Sequence, residues 1–264
     1  MEKLSTPWGA VEGGTYIEAW NLLDLGMADY ASVLDLQHRL VRKRVAGTIP
    51  DTLVLVEHPH VITLGRRGED ANVLKHEGVP VLRVERGGDV TYHGPGQLVA
   101  YPVLSLAKRG NDLRRYVRDL EDTVIATCER YGIRPRHEDK KPGVWLTDKW
   151  RRERKIASVG VAVSHWVTYH GVALNVNTDL AYFQLINPCG YSSETMTSMA
   201  DQVGQRIVFD EVKEAFMDAF AEQFAAQLEP ADPAKVVDRW PAGAPVASVD
   251  QEMVPRAEPG EKAA

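Results

Sequence analysis

Residues 86–97, RGGDVTYHGPGQ, crowd four glycines, a proline, an arginine and a histidine into twelve positions. This run constrains what lies on either side of it. Upstream, 79–85 (VPVLRVE) alternates as a strand does. Downstream, 98–106 (LVAYPVLSL) is nearly continuous in apolar residues, as in a buried strand. A plain hairpin needs only two turn residues, whereas here Gly87-Gly88 and Gly94-Pro95-Gly96 bracket Asp89 to His93. Two close approaches of backbone are implied, because glycine permits positive φ and lets main-chain N–H groups reach a ligand. With Arg86, Tyr92, His93 and Gln97 inside it, the segment reads as a site held between strands.

Around it the spacing predicts an opening strand over 15–23 and a helix starting at Asp29. That helix carries Tyr30, Val33, Leu34, Leu40, Val41 and Val45 on one face and stops at Gly47. Short strands are expected at 53–56 and 61–64, around the EHPH turn. A second helix is expected over 112–131, with Leu113, Tyr116, Val117, Leu120, Val124 and Cys128 at helical spacing. Strands follow at 144–146, 156–163 and 171–176. Asp210 is expected to cap a last helix striped by Val212, Phe216, Ala219, Phe220, Phe224 and Leu228. Many strands with three helices point to an α+β domain around a mixed or antiparallel sheet.

At 264 residues and 44% hydrophobic content the chain can bury one large core. Beyond Pro230 it turns rich in proline, alanine and charge. The expected organisation is therefore a catalytic domain over 1–230 and a flexible tail over 231–264. The net charge of −6 argues against a nucleic-acid partner. No basic-then-apolar leader and no run of roughly 18 apolar residues is present, so a soluble cytoplasmic protein without a membrane partner is expected. Two cysteines are too few for a disulfide framework.

Those two cysteines have different settings. Cys128 falls on the apolar stripe of the second helix, where a small thiol is ordinary core filler. Cys189 sits in Asn187-Pro188-Cys189-Gly190, between a residue that interrupts regular structure and one that frees the backbone, so its sulfur is expected on a loop. His58 and His60 have a metal-like spacing but no cysteine or carboxylate set to complete a ligand shell, and no metal is expected.

The glycine-rich run, KIASVGVAVSHWVTYHGVALNV (155–176) and INPCGYSSETMTSM (186–199) together resemble the signature of bacterial octanoyltransferases, also called the lipoyl(octanoyl) transferase or lipoate-protein ligase B family. The resemblance covers 22–228. It implies the fold of biotin and lipoate ligases, an α+β domain whose mixed or antiparallel central sheet has its helices to one side and the acyl site at its edge. It also implies a catalytic Cys189 acyl-thioester partnered by Lys155. The acyl-binding wall falls on Arg86, Gly87, Gly88, Asp89, Val90, Thr91, Tyr92 and His93, completed by Ser158, Val159, Gly160, Gly171, Val172 and Ala173. His93 and backbone N–H groups would hold the thioester carbonyl. The implied donor is octanoyl-acyl carrier protein. The implied acceptors are lipoyl domains of 2-oxoacid dehydrogenases and the glycine cleavage H protein, with no cofactor.

The pairing makes physical sense. An ammonium about 4 Å from a sulfur is worth about 4 kcal/mol at an effective dielectric near 20, enough to bring a thiol from about 8.5 to below neutral. Lys155 enters the alternating IASVGVAV strand, where it can point into a cleft. The basic 149–155 segment, KWRRERK, leads directly into it and is the expected docking patch for an acidic donor protein. Two other readings are an ATP-dependent lipoate or biotin ligase on the same fold, which needs no cysteine nucleophile, and a silent module that binds acyl carrier protein or lipoyl domains.

Overall fold

The computed structural model describes residues 17–76, 78–139, 141–187 and 195–237. Along the chain run β1 (Glu18–Met27), α1 (Tyr30–Val45), β2 (Thr52–Glu57), β3 (Val61–Leu64), β4 (Val81–Arg83), β5 (Val90–His93), β6 (Gln97–Val103) and α2 (Leu113–Glu129). They are followed by β7 (Arg136–His137), β8 (Val144–Thr147), β9 (Glu153–Ser164), β10 (Val167–Asn175), α3 (Met199–Val203), α4 (Phe209–Phe224), β11 (Ala226–Pro230) and α5 (Pro233–Val237). Eight strands form one mixed sheet in the order β11-β1-β2-β6-β10-β9-β8-β7. Its first three strands are parallel and the rest antiparallel. A second sheet, β4-β3-β5, carries the start of the glycine-rich run.

The period of two along β2 and β6 decides the layering. Leu53, Leu55, Leu98 and Ala100 meet Leu120, Val124, Phe216 and Phe220 of α2 and α4. The intervening Val54, Val56, Val99 and Val103 meet Val33, Leu36 and Leu40 of α1. Helices therefore cover both faces, not one, which is why β6 shows no polar alternation. Asp29 caps α1 by accepting the Ser32 N–H at 2.9 Å, and Asp112 caps α2 by accepting the Arg115 N–H at 2.9 Å. Asp210 does not cap α4: Val208 holds that position, and Asp210 sits in the first turn, paired with Lys213 at 3.0 Å.

The boundary expected at 230 falls inside a packed segment. The Ala231 N–H donates to the Leu22 carbonyl at 2.9 Å, and Val237 of α5 is buried in the α1 layer with Val236 beside it. A chain ending after Pro230 is expected to be about 2 kcal/mol less stable than one ending after Val237, the burial value of a valine. Equal urea midpoints for the two truncations would refute this. No helix among the described residues is long and apolar enough to cross a membrane.

Candidate active site

A cleft opens over β9 and β10, roofed by residues 86–91. The Gly87 N–H donates to the Val161 carbonyl at 2.8 Å and pins the roof to β9. A Cβ on Gly160 would come 3.1 Å from Arg86 Cδ and 3.2 Å from the Gly87 carbonyl, so any larger residue would press the roof away by a few tenths of an ångström. Counting the open solvent at its mouth, the cleft encloses about 730 Å³ of empty space. Every described residue that the resemblance assigned to the site lines it, Lys155 included, except Tyr92. β5 alternates, sending Thr91 and His93 to the cleft and Tyr92 into the core of the small sheet. There its ring lies parallel to Tyr182 at 5.2 Å, and its hydroxyl shares a 2.7 Å hydrogen bond with His60 Nδ1.

Lys155 owes its direction to a fault in the strand. β9 pairs Val144 with Ala157 but Trp145 with Lys155, leaving Ile156 as an extra residue. Ile156 and Ala157 both enter the core under α2 and α4, so the alternation slips by one. Lys155 thereby joins Ser158 and Gly160 at the cleft, a re-aiming that bulges commonly perform next to active sites. Its Nζ lies 5.3 Å from the centre of the Trp145 ring, a cation–π contact worth roughly 0.5–2 kcal/mol.

The arginine of the roof is scaffolding as much as wall. Arg86 donates from Nη2 to the Thr63 carbonyl at 2.7 Å and to Thr63 Oγ1 at 2.9 Å, tying the loop to β3. Its buried charge also acts on its neighbours. Burial first, then the neighbouring His58 imidazole and the Arg86 charge, disfavour protonation and hold His93 well below the usual imidazole range. Burial, assisted by Arg86, lowers His170 too, against the pull of Glu85. Gln97 fixes the His93 tautomer. Its Nε2 donates to Asn175 Oδ1 at 2.9 Å, which leaves Oε1 to accept the His93 Nδ1–H at 2.8 Å. Neutral His93 therefore presents a bare Nε2, an acceptor, and cannot donate to a thioester carbonyl as expected from sequence.

Tyr30 and Tyr101 also line the cleft, as does His170, and sequence reasoning had not singled out the two tyrosines as site residues. Tyr101 donates to His58 Nε2 at 2.9 Å, while His58 Nδ1–H donates to the Ala28 carbonyl at 2.7 Å. Burial depresses His58 from 6.5 to about 4. Such a group stays neutral in the fold while the unfolded chain takes up a proton, so its contribution is complete above 6.5 and is lost as pH falls towards 4. A loss of about 3 kcal/mol over that window is expected from His58 alone. Urea midpoints measured from pH 7.5 to 4.5 would reveal it, and a flat profile would contradict the neutral assignment.

Cys189 lies outside the described residues. Both flanks of its segment are anchored at the cleft. The Asn187 N–H donates to the Asn72 carbonyl at 2.8 Å, and Asn72 Nδ2 donates to Asp89 Oδ2 of the roof at 2.7 Å. On the other side Met196 bridges to Lys155, the Thr197 N–H donates to the Lys155 carbonyl at 3.0 Å, and Thr195 and Met196 line the cleft. Among the described residues, no group of three metal-binding side chains is present.

The lipoyl protein ligase A/B catalytic domain matches residues 29–221. An octanoyltransferase of Syntrophobacter fumaroxidans is 50% identical over 197 residues, covering 72% of this chain and 84% of its own. One of Solibacter usitatus is 49% identical over 215 residues, covering 79% and 94%. The chain belongs to the octanoyltransferase family. The fold of this octanoyltransferase family member is also that of lipoate-protein ligase A solved with ATP. That structure superposes with a TM-score of 0.65 over 82% of this chain and 89% of its own, at 20% identity, a likeness of fold alone. The lipoate-ligase architecture expected from the resemblance is thus the one observed, apart from helices on both faces of the sheet.

Proposed function

We propose that this octanoyltransferase family member moves an octanoyl group from acyl carrier protein to a lysine of a lipoyl domain through a thioester on Cys189, with Lys155 as the proton carrier. The observation that carries the reading is the β9 bulge, which turns Lys155 into the glycine- and valine-lined cleft where both flanks of the Cys189 segment are anchored. The Cys189 thiolate attacks the thioester carbonyl carbon. The bond from that carbon to the pantetheine sulfur breaks, and the leaving thiolate takes a proton from the Lys155 ammonium. The amine of the acceptor lysine then attacks the acyl-Cys189 carbonyl, and Lys155, now neutral, accepts the proton that the nitrogen sheds. The carbon–sulfur bond to Cys189 breaks, an amide remains, and thiolate and ammonium are restored.

Thioester exchange is nearly isoenergetic and amide formation from a thioester is downhill, so the reaction needs no nucleotide. The test is incubation with octanoyl-acyl carrier protein in the absence of ATP. A mass increase of one octanoyl group on the Cys189 peptide is the expected result. An adduct that forms only with octanoate and ATP would favour the ligase reading instead.

The donor is taken to dock at the basic β8–β9 turn. Arg152 and Arg154 are both drawn back onto Asp148, at 3.0 and 2.9 Å. Trp150 stands 63% exposed with Lys149 Nζ 4.4 Å from its ring. Reversing Lys149 and Arg151 to glutamate is therefore cleaner than reversing Arg152. It should raise KM for octanoyl-acyl carrier protein at least about tenfold at low salt, given the screening length of about 8–10 Å, and leave a small pantetheine thioester unaffected. Equal loss with both donors would move the docking site elsewhere.

A further inference from the structure

The structure assigns Glu121 of α2 as the positioning residue for Lys155, an inference that rests on the proton-carrying role proposed for that lysine. Glu121 is a carboxylate on the α2 surface that packs against the sheet, only 7% exposed. Its Oε1 accepts the Gly143 N–H at 2.8 Å. Its Oε2 lies 3.0 Å from His137 Nδ1, whose Nε2 is 2.7 Å from Asp122 Oδ1, and 3.8 Å from Arg118 Nη1. The carboxylate thus clamps the strand start at Gly143 to the middle of the helix, with its second oxygen satisfied from β7.

What Gly143 does with that fixed position concerns Lys155. Its φ of 119° is open to glycine and strained for any other residue. A Cβ there would stand 2.5 Å from Lys155 Cε, 2.6 Å from the Ala157 carbonyl and 3.2 Å from Lys155 Nζ. The bare Cα of Gly143 is therefore the seat on which the end of the lysine side chain rests. Two residues later Trp145 offers its ring to Nζ, and the Trp145 Nε1–H donates to the Lys141 carbonyl at 3.0 Å, closing the same loop. Glu121 touches neither substrate nor lysine. It sets where the seat lies, and a reacting group displaced by about 1 Å loses about 100-fold in rate.

The experiment is a double-mutant cycle on the full-length enzyme, with thermal unfolding recorded for each variant. Glu121→Ala is expected to lower kcat about 100-fold with KM for the donor nearly unchanged. Glu121→Gln keeps an oxygen for the Gly143 N–H and should recover most of the rate. In a Lys155→Ala background, Glu121→Ala should change the residual rate by less than about 2-fold, since the group it positions is gone. If Glu121→Ala does not fold, Glu121→Asp, whose shorter side chain draws the carboxylate back from the Gly143 N–H, takes its place in the cycle with the same expected pattern. Equal losses in both backgrounds, or a Gln variant as poor as Ala, would mean that Glu121 only holds the fold and would overturn the assignment. Wild-type rates for Lys155→Ala would sink the lysine reading and this one with it. Full activity in Glu121→Ala alongside an inactive Lys155→Ala would sink only the assignment of Glu121.

Discussion

Cys189→Ser is expected to stop octanoyl transfer, by a factor on the order of 10⁴ or more, while Cys128→Ser retains most of its turnover per folded molecule. A serine hydroxyl is far less acidic than a thiol, and Lys155 cannot ionise it. Cys128 is the opposite case. It lies fully buried on α2 among Leu120, Val124 and Ile133. Burial pushes its thiol up to about 12, so at neutral pH it is neither nucleophile nor accessible. Its replacement by serine buries a hydroxyl and should cost about 1–3 kcal/mol of stability, visible as a lowered melting temperature. Steady-state rates normalised to folded protein separate the two effects. Comparable turnover in the two variants would remove Cys189 from the chemistry.

Lys155→Arg should split the reaction in two. A guanidinium keeps the charge that stabilises a thiolate, yet cannot give up its proton near neutral pH. Octanoyl-Cys189 should accumulate, and its transfer to the acceptor lysine should fall by at least about 100-fold, the usual scale of a lost general base. The larger planar head must also fit the seat at Gly143 and the Trp145 ring, so some loss in the first step is expected. Rapid-quench measurement of acyl-enzyme and amide resolves the steps. If amide forms at the wild-type rate, Lys155 is not the proton carrier.

Much of the site was legible because its geometry is written into residue types. Glycine at 87, 88 and 160 announces a roof pressed onto a floor, and that is what Gly87 and Gly160 provide. Asp29 and Asp112 were readable as helix starts because each precedes an apolar stripe at helical spacing. Other features depended on contacts that no local pattern carries. Lys155 reaches the cleft through a bulge at Ile156, and IASVGVAV alternates too regularly to betray it. Tyr101 was absorbed into an apolar run. The signal for it was the phenol itself, which needs a hydrogen-bond partner when buried and finds His58. Alternation also hides polarity: His93 lines the cleft, but only its contacts with Gln97 and, through it, Asn175 set which ring nitrogen carries the proton. AQLEP at 226–230 was read through Leu228 as the end of the last helix but pairs with β1 as β11 after α4 stops at Phe224, and PAKVV at 233–237 is too short to signal structure. They are ordered by β1 and α1, which lie some 200 residues away.

That distance has a consequence for how the chain is made. β1 lies between β2, synthesised almost at once, and β11, in register from Glu18 opposite Ala226 to Leu22 opposite Pro230. During translation one row of backbone amides and carbonyls on β1 stays without its native partner until residues 226–230 have left the ribosome, open to pairing with other nascent chains. Truncated or stalled products should accordingly be more prone to aggregate than to accumulate as active fragments, and refolding from denaturant should be limited by closure of this long loop.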